Sequence, residues 1–346
     1  MKLSVIIPHL RGAEILKAVL DDLEQELAGW RELAEVIVVD NASTDGSVEE
    51  AKLAHPWIEV LRLAKNEGYA GGCNHGIRAG RGEWVLLLND DVRIHAGALQ
   101  ALVARGESEP DIAAVQPKIL SQMEPERFDY AGAAGGLIDM FGYPFALGRI
   151  GGKMETDHAQ YDSPREIFWS SGTGCLWRRE TLQQIGLLDS TFFAHMEEID
   201  LAWRAHLIGQ RIVSEPAAVL QHLGGGTLAY QAWRKMYLNH RNNLIMILKN
   251  LQTIHLLWML PFRWAMDIMI GLQETLLRRP GRLVAILAGW GAALMMTPKW
   301  WGRRRRIQRL RTVTDGELRG GIFRGSILFA YAIGLRRASS VAKWIY

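Results

Sequence analysis

The chain has 346 residues, a net charge of only +3 and an ordinary share of apolar residues, so it is long enough for one large α/β domain with an appendage. Two cysteines, Cys73 and Cys175, lie far apart and each beside glycine, which excludes a disulfide framework or a zinc-finger spacing and fits a reducing compartment. The first residues run straight into a strand-like segment without the basic region and long apolar core of a secretory signal, so none is expected.

Taken in order, Leu3–Pro8 reads as a strand and Gly12 to Leu27 as an amphipathic helix. Glu35 to Val39 is a second strand ending at Asp40, and the polar turn Asn41–Ser47 opens a helix. Ile58–Leu63 is a third strand. The glycine-rich segment Asn66–Asn74 leads a helix to Ala79. Trp84–Leu88, a short apolar run, reads as a fully buried parallel strand and ends abruptly in Asn89-Asp90-Asp91. This β-α alternation predicts an α/β fold, a Rossmann-like, mostly parallel sheet with helices on both faces. Right-handed crossovers would then bring Pro8, Asp40, Asn66 and Asp91 to one rim, where such sheets bind ligands.

Beyond it, Ala96–Glu107 reads as a helix, Ala113–Pro117 as a short strand, and the glycine-rich stretch 131–152 as an irregular flap. Ile167–Trp177 looks like a strand broken by small residues. Phe192–His206 is a turn entering a helix, and Ile212–Val219 is extended before Gln221-His222-Leu223-Gly224-Gly225-Gly226. After Tyr230 the character changes. Arg234–Leu251 reads as a helix, and two apolar segments follow, His255–Leu277 and Leu283–Met296. Arg278, Arg279 and Arg282 lie between them, and a run of arginines at 303–306 after them.

Two acids at the end of a buried strand offer hard oxygen ligands to Mg²⁺ or Mn²⁺, ions that usually carry a diphosphate. Asp40 could accept hydrogen bonds from a base or ribose. The Asn66–Asn74 segment could let a phosphate approach backbone N–H groups. Glu197, Glu198 and Asp200 place three acids in four positions, and like charges so close raise at least one pKa, which suits a general base. His222 is a candidate metal or diphosphate contact, and Trp169 a candidate stacking surface for a sugar. The basic, Trp-bearing C-terminal third, interleaved with apolar helices, favours an anionic membrane surface over nucleic acid.

In this order and spacing the segments 38–47, 66–74, 88–91, 172–179, 192–204 and 222–225 resemble the family 2 glycosyltransferases of GT-A fold, particularly the bacterial rhamnosyltransferase-like branch. The resemblance covers roughly residues 1–241. It implies an inverting glycosyltransferase in which Pro8, Asp40, Asn66, Gly68, Asn74, Asn89, Asp90 and Asp91 hold a nucleotide diphosphate sugar, dTDP- or UDP-linked. Asp91 and His222 would hold the divalent cation. Trp169, Gly172 and Glu197 would face the acceptor, and Glu198 would be the base. Two departures stand out: Glu197-Glu198 replaces the family's usual Glu-Asp, which leaves Glu197 and Asp200 open as the base, and Asn89 replaces a first Asp. A sugar-nucleotide nucleotidyltransferase and a non-catalytic membrane-docking protein are the alternatives. The expected layout is a catalytic domain at 1–233, its nucleotide-sugar half at about 1–120 and acceptor half at about 121–233. A helical, basic, membrane-associating region at 234–346 would follow. The expected place is the cytoplasmic face of the plasma membrane, with a polyprenyl-linked glycan as acceptor.

Overall fold

The computed structural model describes residues 1–224, 233–335 and 337–342; Gly225, Gly226 and Tyr230 lie outside these. The first half builds β1 (Leu3–His9), α1 (Ala13–Glu26), β2 (Ala34–Asp40), α2 (Ser47–Ala54), β3 (Glu59–Arg62), α3 (Gly68–Ala79) and β4 (Trp84–Leu88). Strand β1 lies parallel between β2 and β4, and β3 is parallel to β2. Side chains alternate across the sheet, so Leu3, Val5 and Ile7 pack with Leu16, Val19 and Leu20 of α1, while Ile6, Ile37 and Val39 face the opposite core. Continuous Val, Ile and Leu runs suit strands covered on both faces.

The chain then adds β5 (Val92–Ile94), α4 (Ala98–Glu107), β6 (Ile112–Ser121), β7 (Gly136–Asp139), β8 (Pro144–Ala146), β9 (Arg149–Ile150) and β10 (Lys153–Met154). It continues with β11 (Arg165–Ile167), β12 (Gly174–Arg178), α5 (Arg179–Ile185), a 3₁₀ turn at Ser190–Phe192, α6 (Glu197–His206) and β13 (Arg211–His222). The main sheet runs β11-β13-β6-β12-β4-β1-β2-β3, with β5 on β13. Strand β12 is antiparallel to both neighbours, β4 and β6.

The sequence under-reads several strands. Strand β1 extends through Pro8 to His9, β6 has ten residues rather than five, and the broken strand is two strands of different register. The expected flap is ordered: β10-β9-β8-β7 form a second small sheet, completed by β14 (Ile322–Phe323) parallel to β7. Its glycines made it look irregular, and its partner strand lies almost two hundred residues away.

The C-terminal third contains α7 (Trp233–Asn250), α8 (Thr253–Leu276), α9 (Gly281–Met295), α10 (Thr297–Leu310), β14, α11 (Ile327–Ala332) and α12 (Ala338–Ala342). Leu244, Ile245 and Ile247 of α7, Ala293 of α9, and Trp300 and Ile307 of α10 belong to the same core as Trp177 and Ile199. Among the described residues no single helix is long and apolar enough to cross a membrane; α9 and α10 pass such a test only as a pair bent by 69°.

Candidate active site

The ends of β1, β2 and β4 and the start of α3 meet at the rim. At the end of β2, Asp40 is buried and accepts from the Ser43 backbone N–H at 2.8 Å, with Arg62 at 3.5 Å. Next to it, Asn41 ties the Asn66 loop in place, accepting from Glu67 N–H and donating to the Gly68 carbonyl. Asn66 is exposed and accepts from Gly68 N–H. Gly68 has φ +74, and a Cβ there would lie 2.4 Å from the Phe193 carbonyl. Only glycine lets the loop before α6 come this close. Pro8 would be 3.2 Å from a Cβ on Gly72, which places β1 beside the first turn of α3.

The turn after β4 splits its two acids. Asp90 lies 2.6 Å from Nδ1 of the buried His9, whose Nε2 lies 2.7 Å from Ser47 Oγ. Asp45 in turn accepts from Ser47 Oγ and from Gly12 N–H, which hold its carboxyl down at about 2. Asp91 points the other way. Pairing of Val92 with His222 brings it to the end of β13, where Asp91 Oδ1 lies 3.2 Å from His222 Nε2. The other imidazole nitrogen, Nδ1, lies 2.9 Å from Asp129 Oδ1. Burial alone would lower this imidazole, but the Asp129 and Asp91 carboxylates raise it to about 10.

These residues fit a divalent cation. Asp91 Oδ1 is buried without a hydrogen-bond partner, and a carboxylate on the far nitrogen orients a ligating imidazole. No group of three or more potential ligands occurs among the described residues, so a cation there would complete its shell with ligand oxygens and water.

The second set of acids opens α6. Phe193, His195 and Met196 all have positive φ, near +70°, just before Glu197. Such backbone costs of order 1–3 kcal/mol per residue and persists only when its surroundings enforce it. Asn242 of α7 does so, donating to the Phe192, Ala194 and His195 carbonyls at 2.8–3.1 Å. Glu197 Oε2, Glu198 Oε2 and His195 Nε2 are buried with no hydrogen-bond partner. Burial, then the Glu198 and Asp200 charges, push Glu197 well above the usual carboxylate range, and burial pushes Glu198 up to about 7. Burial, then Lys235, lowers His195 to about 4.

The turn after β4 and the start of α6 both reach the neighbourhood of β12. Asn89 N–H donates to the Thr173 carbonyl, and Cys175, paired with Leu87, is close enough to Glu198 to feel its charge.

Four sequence-selected residues have other duties. Asp200 is fully buried and bonded to Lys249, Arg204 and Asn250, so it is the structural acid of the three. The Asn74 amide is spent on both backbone groups of Leu188. Trp169 is buried in the core, donates to the Leu137 carbonyl and lies flat against Gly136, where a Cβ would be 2.1 Å from its ring. The Gly172 carbonyl accepts from Tyr69 Oη at 2.5 Å. Sequence reasoning passed over Asp129, His9 and Asn242; of these only His9, at the end of a buried strand, carried a local signal.

Comparison with known proteins converges on one family. The profile "Glycosyl transferase family 2" matches residues 4–184. N-acetylglucosaminyl-diphospho-decaprenol L-rhamnosyltransferase of Mycobacterium tuberculosis is 26% identical over 262 residues, covering 70% of this chain and 83% of that protein. Among solved structures, S. aureus TarS 1–349 matches with a TM-score of 0.52 and 16% identity, covering 96% of this chain and 92% of that one. Mannosyltransferase PcManGT of Pyrobaculum calidifontis, solved with GDP-Man and Mn²⁺, matches with a TM-score of 0.50 and 17% identity, covering 89% of this chain and 85% of that one. The fold is GT-A, a mixed α/β sheet with helices on both faces. With more than half of its length matched by the family profile, the chain belongs to glycosyl transferase family 2 and is a glycosyltransferase.

Proposed function

We propose that this enzyme transfers a sugar, with inversion, from a dTDP- or UDP-sugar to a hydroxyl of a lipid-linked glycan at the membrane surface. The observation that carries the reading is a set of buried acids: Glu197 and Glu198 Oε2 have no hydrogen-bond partner, and Asp91 Oδ1 has only the His222 imidazole beside it, at 3.2 Å. Buried polar atoms without partners are rare in native folds and suit groups that await a ligand.

Asp40 is suited to a base or ribose, and the Asn66–Gly68 turn and Asp90 to the rest of the nucleotide. Asp91 and His222 would hold Mg²⁺ or Mn²⁺, which when bound neutralises charge on a departing diphosphate. The Mn²⁺ in the solved mannosyltransferase supports that choice of metal class. Glu198 takes the acceptor hydroxyl's proton as that oxygen bonds to the anomeric carbon and the bond to the diphosphate breaks. Its raised pKa lets one group accept this proton near neutrality. Glu197, more deeply buried, is pushed further up by the neighbouring Glu198 charge.

A rhamnose donor and a polyprenyl diphosphate acceptor are supported by the mycobacterial relative. Membrane association is supported by α8, which exposes Ile254, Leu257, Phe262, Met269, Leu272 and Leu276. Arg278, Arg279 and Arg282 follow at the turn into α9. An apolar helix face bounded by cations suits an anionic interface.

The test is a panel of nucleotide sugars, each assayed for thermal stabilisation with and without Mn²⁺, followed by transfer to a polyprenyl diphosphate-linked sugar. Stabilisation by one donor, enhanced by Mn²⁺, and an inverted anomeric coupling constant in the product are expected. Retained configuration would refute the single displacement.

A further inference from the structure

The two acids after β4 are each met by a buried histidine from a different strand. His222, at the end of β13, lies 3.2 Å from Asp91, and His9, at the end of β1, lies 2.6 Å from Asp90. In both rings the second nitrogen is held as well, by Asp129 in one and by Ser47 in the other. His222 belongs to the cation position described above. His9 has no role in the transfer step, yet it is only 1% exposed and both of its nitrogens are engaged.

The direction of the hydrogen bonds around His9 follows from the groups beyond it. The Asp45 carboxyl is held down at about 2, first by the Ser47 hydroxyl and then by the Gly12 N–H, so it is ionised and can only accept. Ser47 Oγ–H donates to Asp45 Oδ1 at 2.5 Å, and the Ser47 backbone N–H donates to the same oxygen at 3.2 Å. A hydroxyl has one proton to give, so Ser47 Oγ accepts from His9 Nε2–H at 2.7 Å. Nδ1 is left to hold Asp90 Oδ2 through the proton shared between them. One chain of hydrogen bonds thus runs from the Gly12 N–H through Asp45, Ser47 and His9 to Asp90. It joins the end of β1, the turn before α2 and the turn after β4.

At its end, the Asp90 side chain is 24% exposed, and Oδ1 makes no hydrogen bond among the described residues. An unrestrained aspartate samples several rotamers and loses that freedom when it binds a ligand. A carboxylate fixed through one oxygen has met this cost before the ligand arrives, and its other oxygen stays available. A ring held at both nitrogens is a stiff support for it.

We propose that His9 is a positioning residue for the donor: braced by Ser47 and Asp45, it holds Asp90 by Oδ2 and keeps Oδ1 free for the nucleotide. This rests on the assignment of Asp90 to the nucleotide made above. His9 itself touches no substrate and acts only through Asp90.

The test uses the full chain. UDP and dTDP, each with Mn²⁺, are titrated calorimetrically into the wild type, His9→Gln, His9→Asn, Asp90→Ala and the double variant of His9→Gln with Asp90→Ala, and each melting temperature is recorded. The Asn amide nitrogen falls where histidine has Nδ1, and the Gln amide nitrogen where it has Nε2. Asn therefore keeps the reach to Asp90, and Gln only the reach to Ser47. Asp90→Ala is expected to weaken nucleotide binding about tenfold or more, His9→Gln to come close to it, and His9→Asn to stay within about threefold of the wild type. In the double variant, His9→Gln should add nothing to the loss from Asp90→Ala. Three results would overturn the proposal: no loss in His9→Gln, equal losses in the Gln and Asn variants that follow the melting temperature, or losses that add in the double variant. Unchanged affinity in Asp90→Ala, or a wild type that binds neither nucleotide, would instead remove the donor assignment beneath it.

Discussion

Glu198 and Asp200 lie two residues apart, yet their surroundings give them different work. Glu198 keeps an oxygen with no partner, while Asp200 is enclosed by Lys249, Arg204 and Asn250. Glu198→Gln is therefore expected to lower kcat by about 10²–10⁴-fold, with donor affinity within twofold, as steady-state kinetics and donor titration would show. Asp200→Asn should act on stability, because it leaves buried cations short of an anion. A loss of about 3–5 kcal/mol is expected by chemical denaturation. The pH profile follows from the sign of the Glu198 shift. The base works deprotonated, and burial raises its pKa from the usual 4.5 to about 7. The log of kcat should thus rise with slope one below about pH 7 and level off above it. A plateau already reached at pH 5 would transfer the role away from Glu198. The three acids were legible in the sequence by their crowding; which one is structural was not, because Lys249 and Asn250 lie some fifty positions further on.

The turn before α6 is the element on which the site depends. Its run of positive φ at non-glycine residues is held by a single side chain, Asn242, with Arg241 bonding the Thr191 and Phe192 carbonyls. Asn242→Ala removes the amide that donates to three carbonyls and accepts from Arg241, so a loss of about 2–4 kcal/mol is expected in urea unfolding. The same variant should reduce kcat more than it changes donor KM, since the relaxed turn re-aims Glu197 and Glu198. Gly68→Ala tests the turn from the other side. Its Cβ would collide with the Phe193 carbonyl, and at φ +74 the backbone is strained as well, so activity should fall at least tenfold with the protein still folded by circular dichroism. The glycine-rich helix start was visible in the sequence as a ligand loop; that one of its glycines makes room for another loop was not.

At the scale of the molecule, the C-terminal third is both part of the core and the bearer of the exposed apolar face. Lys249 pairs with Asp189 and Asp200, Arg303 reaches Asp189, and Arg304 donates to the Leu248 and Leu251 carbonyls. The arginine run at 303–306 read as a solvated or lipid-facing stripe, but helical spacing turns Arg304 inward beside Trp300 and Ile307 and leaves Arg305 and Arg306 outside. A chain ending at Trp233 would thus expose Leu244, Ile245 and Ile247 and strand Asp200, and it is expected to be insoluble. Membrane association is better tested by Leu257→Gln with Phe262→Gln, which touch only the exposed face. Flotation with phosphatidylglycerol-containing vesicles should drop severalfold while the melting temperature stays put. The sequence by itself determined the parallel half-sheet, the acids at its rim and the apolar character of the C-terminal helices. Those features follow from local periodicity and from strand ends, where neighbours in sequence are neighbours in space. Tertiary structure alone decided that Asp129 orients His222, that Trp169 is core, that the flap is a sheet and that α7 holds the turn before α6. Each of these is a contact between segments tens to hundreds of residues apart, where packing and pairing of buried polar groups select the partner and no local pattern records it.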